Sequence, residues 1–153
     1  MTNLSLIKYS TIKVVGVLTL FLFMQQSGIC GSSLHGIQEY LDFAEYSDGS
    51  ISTEQLSSTN HDDLIFIDNR NKGHYLLGHI PGAINIEWRE ILHRRKEIPK
   101  DKTVILYCET GLLSSKAHFA LRVAGWDNVK VLWGGYLVWS ARQSFEDAAL
   151  IPK

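Results

Sequence analysis

The chain has 153 residues, of which 45% are hydrophobic and 20% charged, the size and balance of one globular domain with a buried core and no room for a second. Its formal net charge is −1, and because Lys8 and Lys13 are the only charges in the first thirty residues, the remainder carries 13 basic and 16 acidic side chains. That mild acidity argues against a nucleic-acid partner.

Residues 1–30 open with the two lysines, continue through the uncharged run Val14 to Met24 and close on Gln25, Gln26, Ser27 and Gly28. This is the layout of a secretory signal. The apolar run is eleven residues, against the ~20 of a membrane span. The expectation is an exported, periplasmic domain with the signal cleaved; the alternative is an N-terminal anchor that leaves the domain facing the periplasm, with membrane contact confined to this segment. Cys30 follows Ser27-Gly28-Ile29, a poor match to a lipid-attachment cysteine. The chain holds only two cysteines, so the other, Cys108, has no intramolecular partner in an exported mature domain. It is either an inert core residue or a reactive nucleophile.

Residues 31–50 read as a linker or short helix, 51–145 as the domain and 146–153 as a C-terminal tail. Within the domain, Ser52 and Gln55 have the spacing of a capping box that starts a short helix. Leu64-Ile65-Phe66-Ile67 is a continuous apolar run, a buried strand ending at Asp68. Gly78 to Gly82 forms a turn and Ala83 to Ile86 a second short strand. The spacing of Trp88, Ile91, Leu92 and Arg95 predicts a helix stopping before Pro99. Thr103 to Tyr107 is a buried strand with Cys108 at its C-terminal end. A helix with the stripe Ala117, Ala120, Leu121, Ala124 follows and ends at Gly125. Val129 to Trp133 is a strand, Gly134-Gly135 a turn and Tyr136 to Arg142 a last helix. Strands alternating with helices imply an α/β fold with a mostly parallel sheet covered on both faces.

Ligands of parallel α/β sheets bind outside the carboxyl ends of the strands, where Cys108 lies. The loop Glu109, Thr110, Gly111, Leu112, Leu113, Ser114 runs from it into a helix, so its N–H groups lack intrahelical partners and can converge on an anion such as a thiolate or persulfide. Gly111 permits a left-handed turn there.

In this order, Ile51 to Leu56, Ile67-Asp68-Asn69-Arg70, Tyr75 with Gly78 to Ile86, Tyr107-Cys108 with the Gly111 loop, and Trp133-Gly134-Gly135-Tyr136 with Trp139 resemble a rhodanese domain, the thiosulfate:cyanide sulfurtransferase family. The resemblance implies a five-stranded parallel sheet flanked by helices. It implies a catalytic Cys108 that takes a sulfane sulfur as a persulfide, residues 109–114 as the substrate-binding loop, no cofactor, a small sulfur donor or protein-borne persulfide as one partner and a thiol or cyanide as acceptor.

Two positions depart from the family. Members active on thiosulfate place a basic residue after the cysteine and an arginine five positions beyond it, where this chain has Glu109 and Leu113. Two like charges about 5 Å apart repel by a few kcal/mol at an effective dielectric of ~20, so dianionic thiosulfate is expected to be a poor donor, and an apolar Leu112-Leu113 rim suits a neutral or protein-borne one. The competing reading is a non-catalytic rhodanese-like binding module. The related cell-cycle phosphatases need an arginine six residues after the cysteine, where Ser114 stands, so phosphatase activity is not expected. Asp68 and Arg70 read as a supporting strand-end ion pair. His74, His79 and His118 have no metal-site spacing, and Trp126, Trp133 and Trp139 read as core.

Overall fold

A computed structural model of the chain describes residues 28–45, 49–59 and 63–149. The chain divides into two compact units, residues 1–43 and 44–153. What is described of the first is a single helix, α1 (Gly28–Phe43), in which Gln38 donates to Asp42 one turn on at 2.7 Å. The stretch expected as a linker or short helix is therefore helical as far as Phe43. The signal-like residues 1–27 lie outside the described residues, and so does the side chain of Cys30. Among the described residues no helix is long and apolar enough to cross a membrane.

The second unit runs β1 (Ser50–Ile51), α2 (Thr53–Ser57), β2 (Leu64–Asp68), α3 (Lys72–Leu77), β3 (Ile84–Asn85), β4 (Thr103–Tyr107), α4 (Leu112–Val123), β5 (Val129–Leu132) and α5 (Gly135–Ala149). The strands form one five-stranded sheet in the order β1-β5-β4-β2-β3, with every neighbouring pair parallel. Parallel neighbours require crossovers that cover both faces, and the strands are correspondingly apolar on both sides. Side chains alternate between two clusters. Ile67 of β2 and Val104 and Leu106 of β4 pack with Ala117 and Leu121 of α4, with Ile86, Ile91, Ile98 and Trp126 completing that layer. Leu64 and Phe66 of β2 and Ile105 and Tyr107 of β4 pack on the other face with Ile51, Leu56, Ile80 and Leu132, against which Tyr136 and Trp139 of α5 lie.

The α2 capping box forms as expected: Gln55 N–H donates to Ser52 Oγ at 3.3 Å and Ser52 N–H donates to Gln55 Oε1 at 2.9 Å. Four expectations are corrected. Residues 88–97 are not one helix but two 3-10 turns, Trp88–Glu90 and Arg95–Glu97. Trp88 N–H is tied to Asn69 O at 3.1 Å, and Ile98 is held extended ahead of Pro99, so the segment is fixed at both ends and turns between them as 3-10. Between Asp68 and Gly78, where the sequence suggests no element, Asn71 caps α3 by accepting from His74 N–H at 3.0 Å. Helix α5 does not stop at Arg142 but runs to Ala149, across the expected limit at residue 145, because no glycine or proline interrupts those residues. Trp133 is not core: it is 67% exposed, one residue beyond the end of β5, where Gly134 and Gly135, both at positive φ, turn the chain away before a layer can cover it.

The contrast between the two positions is measurable. Leu106→Ala, emptying a fully buried site, is expected to cost about 2–5 kcal/mol, and Trp133→Ala to stay within about 0.5 kcal/mol. Urea unfolding of the two variants against the parent chain reads both values.

Candidate active site

Cys108 lies one residue past the end of β4 and is 1% exposed. The next residues cannot continue the strand, and Gly111 adopts φ +99 at the N-cap of α4, a left-handed conformation that a side chain would resist. This bend directs the loop's donors inward. Gly111 N–H donates to Cys108 Sγ at 3.2 Å and Leu113 N–H donates to it at 3.3 Å. The Ser114 hydroxyl, fully buried, stands 3.7 Å from Sγ and 2.9 Å from Gly111 O, so its one proton serves one acceptor at a time. Burial pushes the thiol up. The Ser114 N–H and hydroxyl and the Thr110 and Leu113 N–H groups favour the anion and outweigh burial, leaving the Cys108 thiol below its ordinary pKa.

A second set of backbone donors fixes the loop from behind. The first N–H groups of α5 have no intrahelical acceptor. Two of them go to the loop: Tyr136 N–H donates to Cys108 O at 2.8 Å and Leu137 N–H to Glu109 O at 3.0 Å. So close an approach needs Gly135, at φ +60, where a Cβ would sit 2.5 Å from Cys108 O. Two of the loop's carbonyls, Cys108 O and Glu109 O, are thus held by α5 while the Gly111 and Leu113 amides face the sulfur.

The charged groups beside the thiol come from β2 and the loop. Asp68, fully buried, receives Arg70 Nη2 at 2.6 Å and Nε at 3.0 and 3.1 Å. Arg70 Nη2 also donates to Gly78 O at 2.6 Å, and the guanidinium lies over the Tyr136 ring at 4.2 Å. Its remaining edge, Nη1, donates to Glu109 Oε2 at 3.1 Å. Burial disfavours the guanidinium's charge, but the Asp68 and Glu109 carboxylates outweigh it and raise the pKa of Arg70 well above the ordinary range. Arg70 is 5% exposed and Glu109 53%, so the bridge runs from a buried cation to a carboxylate at the surface. Around it Arg70, His74, Leu77, Gly78, Glu109 and Tyr136 line a cavity of about 380 Å³.

All the residues singled out in the sequence, Asp68, Arg70 and Cys108 to Ser114, therefore meet at the C-terminal edge of the sheet. Leu112 is 69% exposed, while Leu113 is partly buried with its amide on the sulfur. What the sequence does not display is the Arg70 to Glu109 bridge and the role of Tyr136 and Leu137, because their partners are distant in the chain. The only signal for the latter is Gly134-Gly135, which reads as a turn and not as a contact point. Among the histidines, His79 Nδ1 lies 2.9 Å from Tyr75 O with its ring stacked on Tyr75, and His118 is buried against Gly49. Among the described residues no three His, Cys, Asp or Glu are grouped so as to hold a metal ion.

This arrangement sets a buried thiol among backbone N–H groups at a strand-to-helix loop of a parallel sheet, on an α/β scaffold. Residues 52–142 match the family model of the Rhodanese-like domain, more than half of the chain, and the chain belongs to that family. It is 34% identical over 92 residues to a sulfurtransferase of Allochromatium vinosum, covering 59% of this chain and 86% of that one. It is 30% identical over 91 residues to the thiosulfate sulfurtransferase GlpE of Pseudoalteromonas translucida, covering 60% and 87%. Among solved structures, a rhodanese-related protein of Thermoplasma volcanium superposes with a TM-score of 0.57 at 26% identity, over 61% of this chain and 92% of that one.

The rate of Cys108 alkylation by iodoacetamide is expected to rise with pH through an inflection below the ~8.5 of a free thiol. Ser114→Ala, which removes a donor that favours the anion, moves that inflection upward and slows alkylation at neutral pH. An inflection at the free-thiol value in the parent chain contradicts the loop geometry.

Proposed function

We propose that the domain is a sulfurtransferase in which Cys108 accepts a sulfane sulfur, holds it as a persulfide and releases it to a thiol or to cyanide. The observation that carries this reading is the pair of N–H groups, Gly111 and Leu113, directed at Sγ. Family membership and relatives named as sulfurtransferases support it.

The chemistry follows from the loop. The Cys108 thiolate attacks the outer sulfur of the donor, a bond forms between Sγ and that sulfur, and the donor's sulfur bond breaks with its electron pair leaving on the donor fragment. The persulfide anion now carries the charge the thiolate carried, so donors fixed in the folded loop stabilise both ends of the step without reorganisation. An acceptor thiolate then attacks the outer sulfur, and Cys108 departs as the thiolate with which the cycle began. Residues 109–114 bound the substrate, Ser114 lends a hydroxyl to the sulfur, and Asp68 and Arg70 position the loop through Glu109. Donors are a small sulfur compound or a protein-borne persulfide, and the signal-like pattern of residues 1–30 supports a reaction outside the cytoplasm.

A non-catalytic, partner-binding role is the second reading, favoured by the acidic Glu109 where thiosulfate-using members carry a base. Intact mass after incubation with thiosulfate, and separately with a low-molecular-weight persulfide, separates them. The expected result is a gain of about 32 Da, one sulfur, that is larger with the persulfide, is absent in Cys108→Ser and is discharged by added thiol. No adduct with either donor leaves the binding role.

A further inference from the structure

The cavity that Arg70 and Glu109 line has one feature that the sulfur-transfer reading leaves unused. Arg70 is the guanidinium on its wall, and four of its five N–H groups are already engaged. One edge, Nε and Nη2, is engaged by Asp68, Nη2 also by Gly78 O, one face by Tyr136, and Nη1 by Glu109. Counted together, Asp68, Arg70 and Glu109 carry one net negative charge. That charge is expressed at Glu109, the most exposed of the three, through a carboxylate in which Oε2 takes the Arg70 contact. The other titratable groups on the wall are the exposed His74 and the Tyr136 phenol. No lysine is among the residues lining it; Lys72 lies over Tyr75 at 5.1 Å and Lys116 over Trp88 at 5.1 Å.

We propose that Glu109, oriented by Arg70, selects the sulfur compounds that reach Cys108 by charge, favouring those with a cationic group close to the reacting sulfur and excluding anionic ones. The selection rests on the reading of Cys108 as the reacting thiol and names its substrate class. Glu109 is covalently adjacent to Cys108, and its wall partner Tyr136 is one hydrogen bond from the Cys108 carbonyl, so an ammonium group in the cavity lies alongside the loop that carries the sulfur. Leu77 and the Tyr136 ring supply apolar and π surface that suits an alkylammonium, to which an aromatic face is attractive. A sulfonate or a second carboxylate there meets Glu109 and a guanidinium that two carboxylates already hold.

Charged methanethiosulfonates test this without requiring that a persulfide form. The Cys108 thiolate attacks the reagent's sulfenyl sulfur, a disulfide forms and methanesulfinate leaves, whatever the natural reaction is. Rates with the 2-(trimethylammonium)ethyl and 2-sulfonatoethyl reagents are measured on the full chain, and their ratio is divided by the ratio for 2-mercaptoethanol. The expected normalised preference for the cationic reagent is about tenfold in the parent chain at low salt, shrinking as salt screens it. It falls below about twofold in Glu109→Gln, which keeps an oxygen for Arg70, and inverts in Glu109→Lys. A normalised ratio near one in the parent chain, or a preference that Glu109→Gln leaves intact, overturns the proposal. Failure of sulfur loading with every donor would refute the sulfurtransferase reading and leave this ratio unaffected.

Discussion

The site depends on one constraint, that the backbone from Cys108 to Ser114 must turn its amides toward the sulfur while its carbonyls point away. Peptide units are rigid planes with opposed N–H and C=O, so amides can converge on Sγ only if the carbonyls on the outer side find donors of their own. Helix α5 supplies donors for two carbonyls at the start of the loop, those in the planes of the Glu109 and Thr110 amides. Its first N–H groups hold Cys108 O and Glu109 O, and both helices contribute ends that would otherwise lack partners. The order β1-β5-β4-β2-β3 makes this possible by placing β4 and β5 side by side, so that the two loops leaving them meet. Gly111 lets one loop bend inward and Gly135 lets the other come close enough to touch it. Sheet order, two glycines and two helix ends together act on one atom.

Charge is arranged on the same scaffold. Asp68 is fully buried at the end of β2 and would be costly alone, and Arg70 answers it with three short contacts. The backbone of this corner is secured by Asn85, whose amide donates to Asp68 O at 2.9 Å and Arg70 O at 2.8 Å. Arg70 therefore arrives at Glu109 with no freedom of its own. What stands next to the thiol is not an isolated acidic residue but the outer member of a chain of alternating charges, negative at both ends. The ordinary exposed ion pair is weak; this one differs because its cation is buried and fixed by other partners.

Much of the fold is legible in the sequence because its strongest signals are local. Leu64 to Ile67 and Thr103 to Tyr107 are unbroken β-branched and apolar runs, and only a buried parallel strand accommodates them. Ser52 and Gln55 cap each other across three residues. Where the decisive contact is distant, the pattern misleads. Trp88, Ile91 and Leu92 have helical spacing, but the tie from Trp88 to Asn69 and the restriction before Pro99 confine the segment to 3-10 turns. Trp133 continues the apolar run of β5, and two positive-φ glycines end the sheet just before it can be covered. At the site, the loop and its glycine follow from the position of Cys108 after a buried strand. The bridge from Arg70 to Glu109 joins residues 39 apart, and the sequence presents Glu109 only as a misplaced charge.

The direct test of the amide cradle is an NMR titration of the Gly111 and Leu113 amide protons. If these groups hold the Cys108 anion, both resonances move downfield together with a single inflection that coincides with ionisation of Cys108, and the movement is lost in Cys108→Ser. Resonances that stay still through that ionisation, or that move identically in Cys108→Ser, would contradict the account.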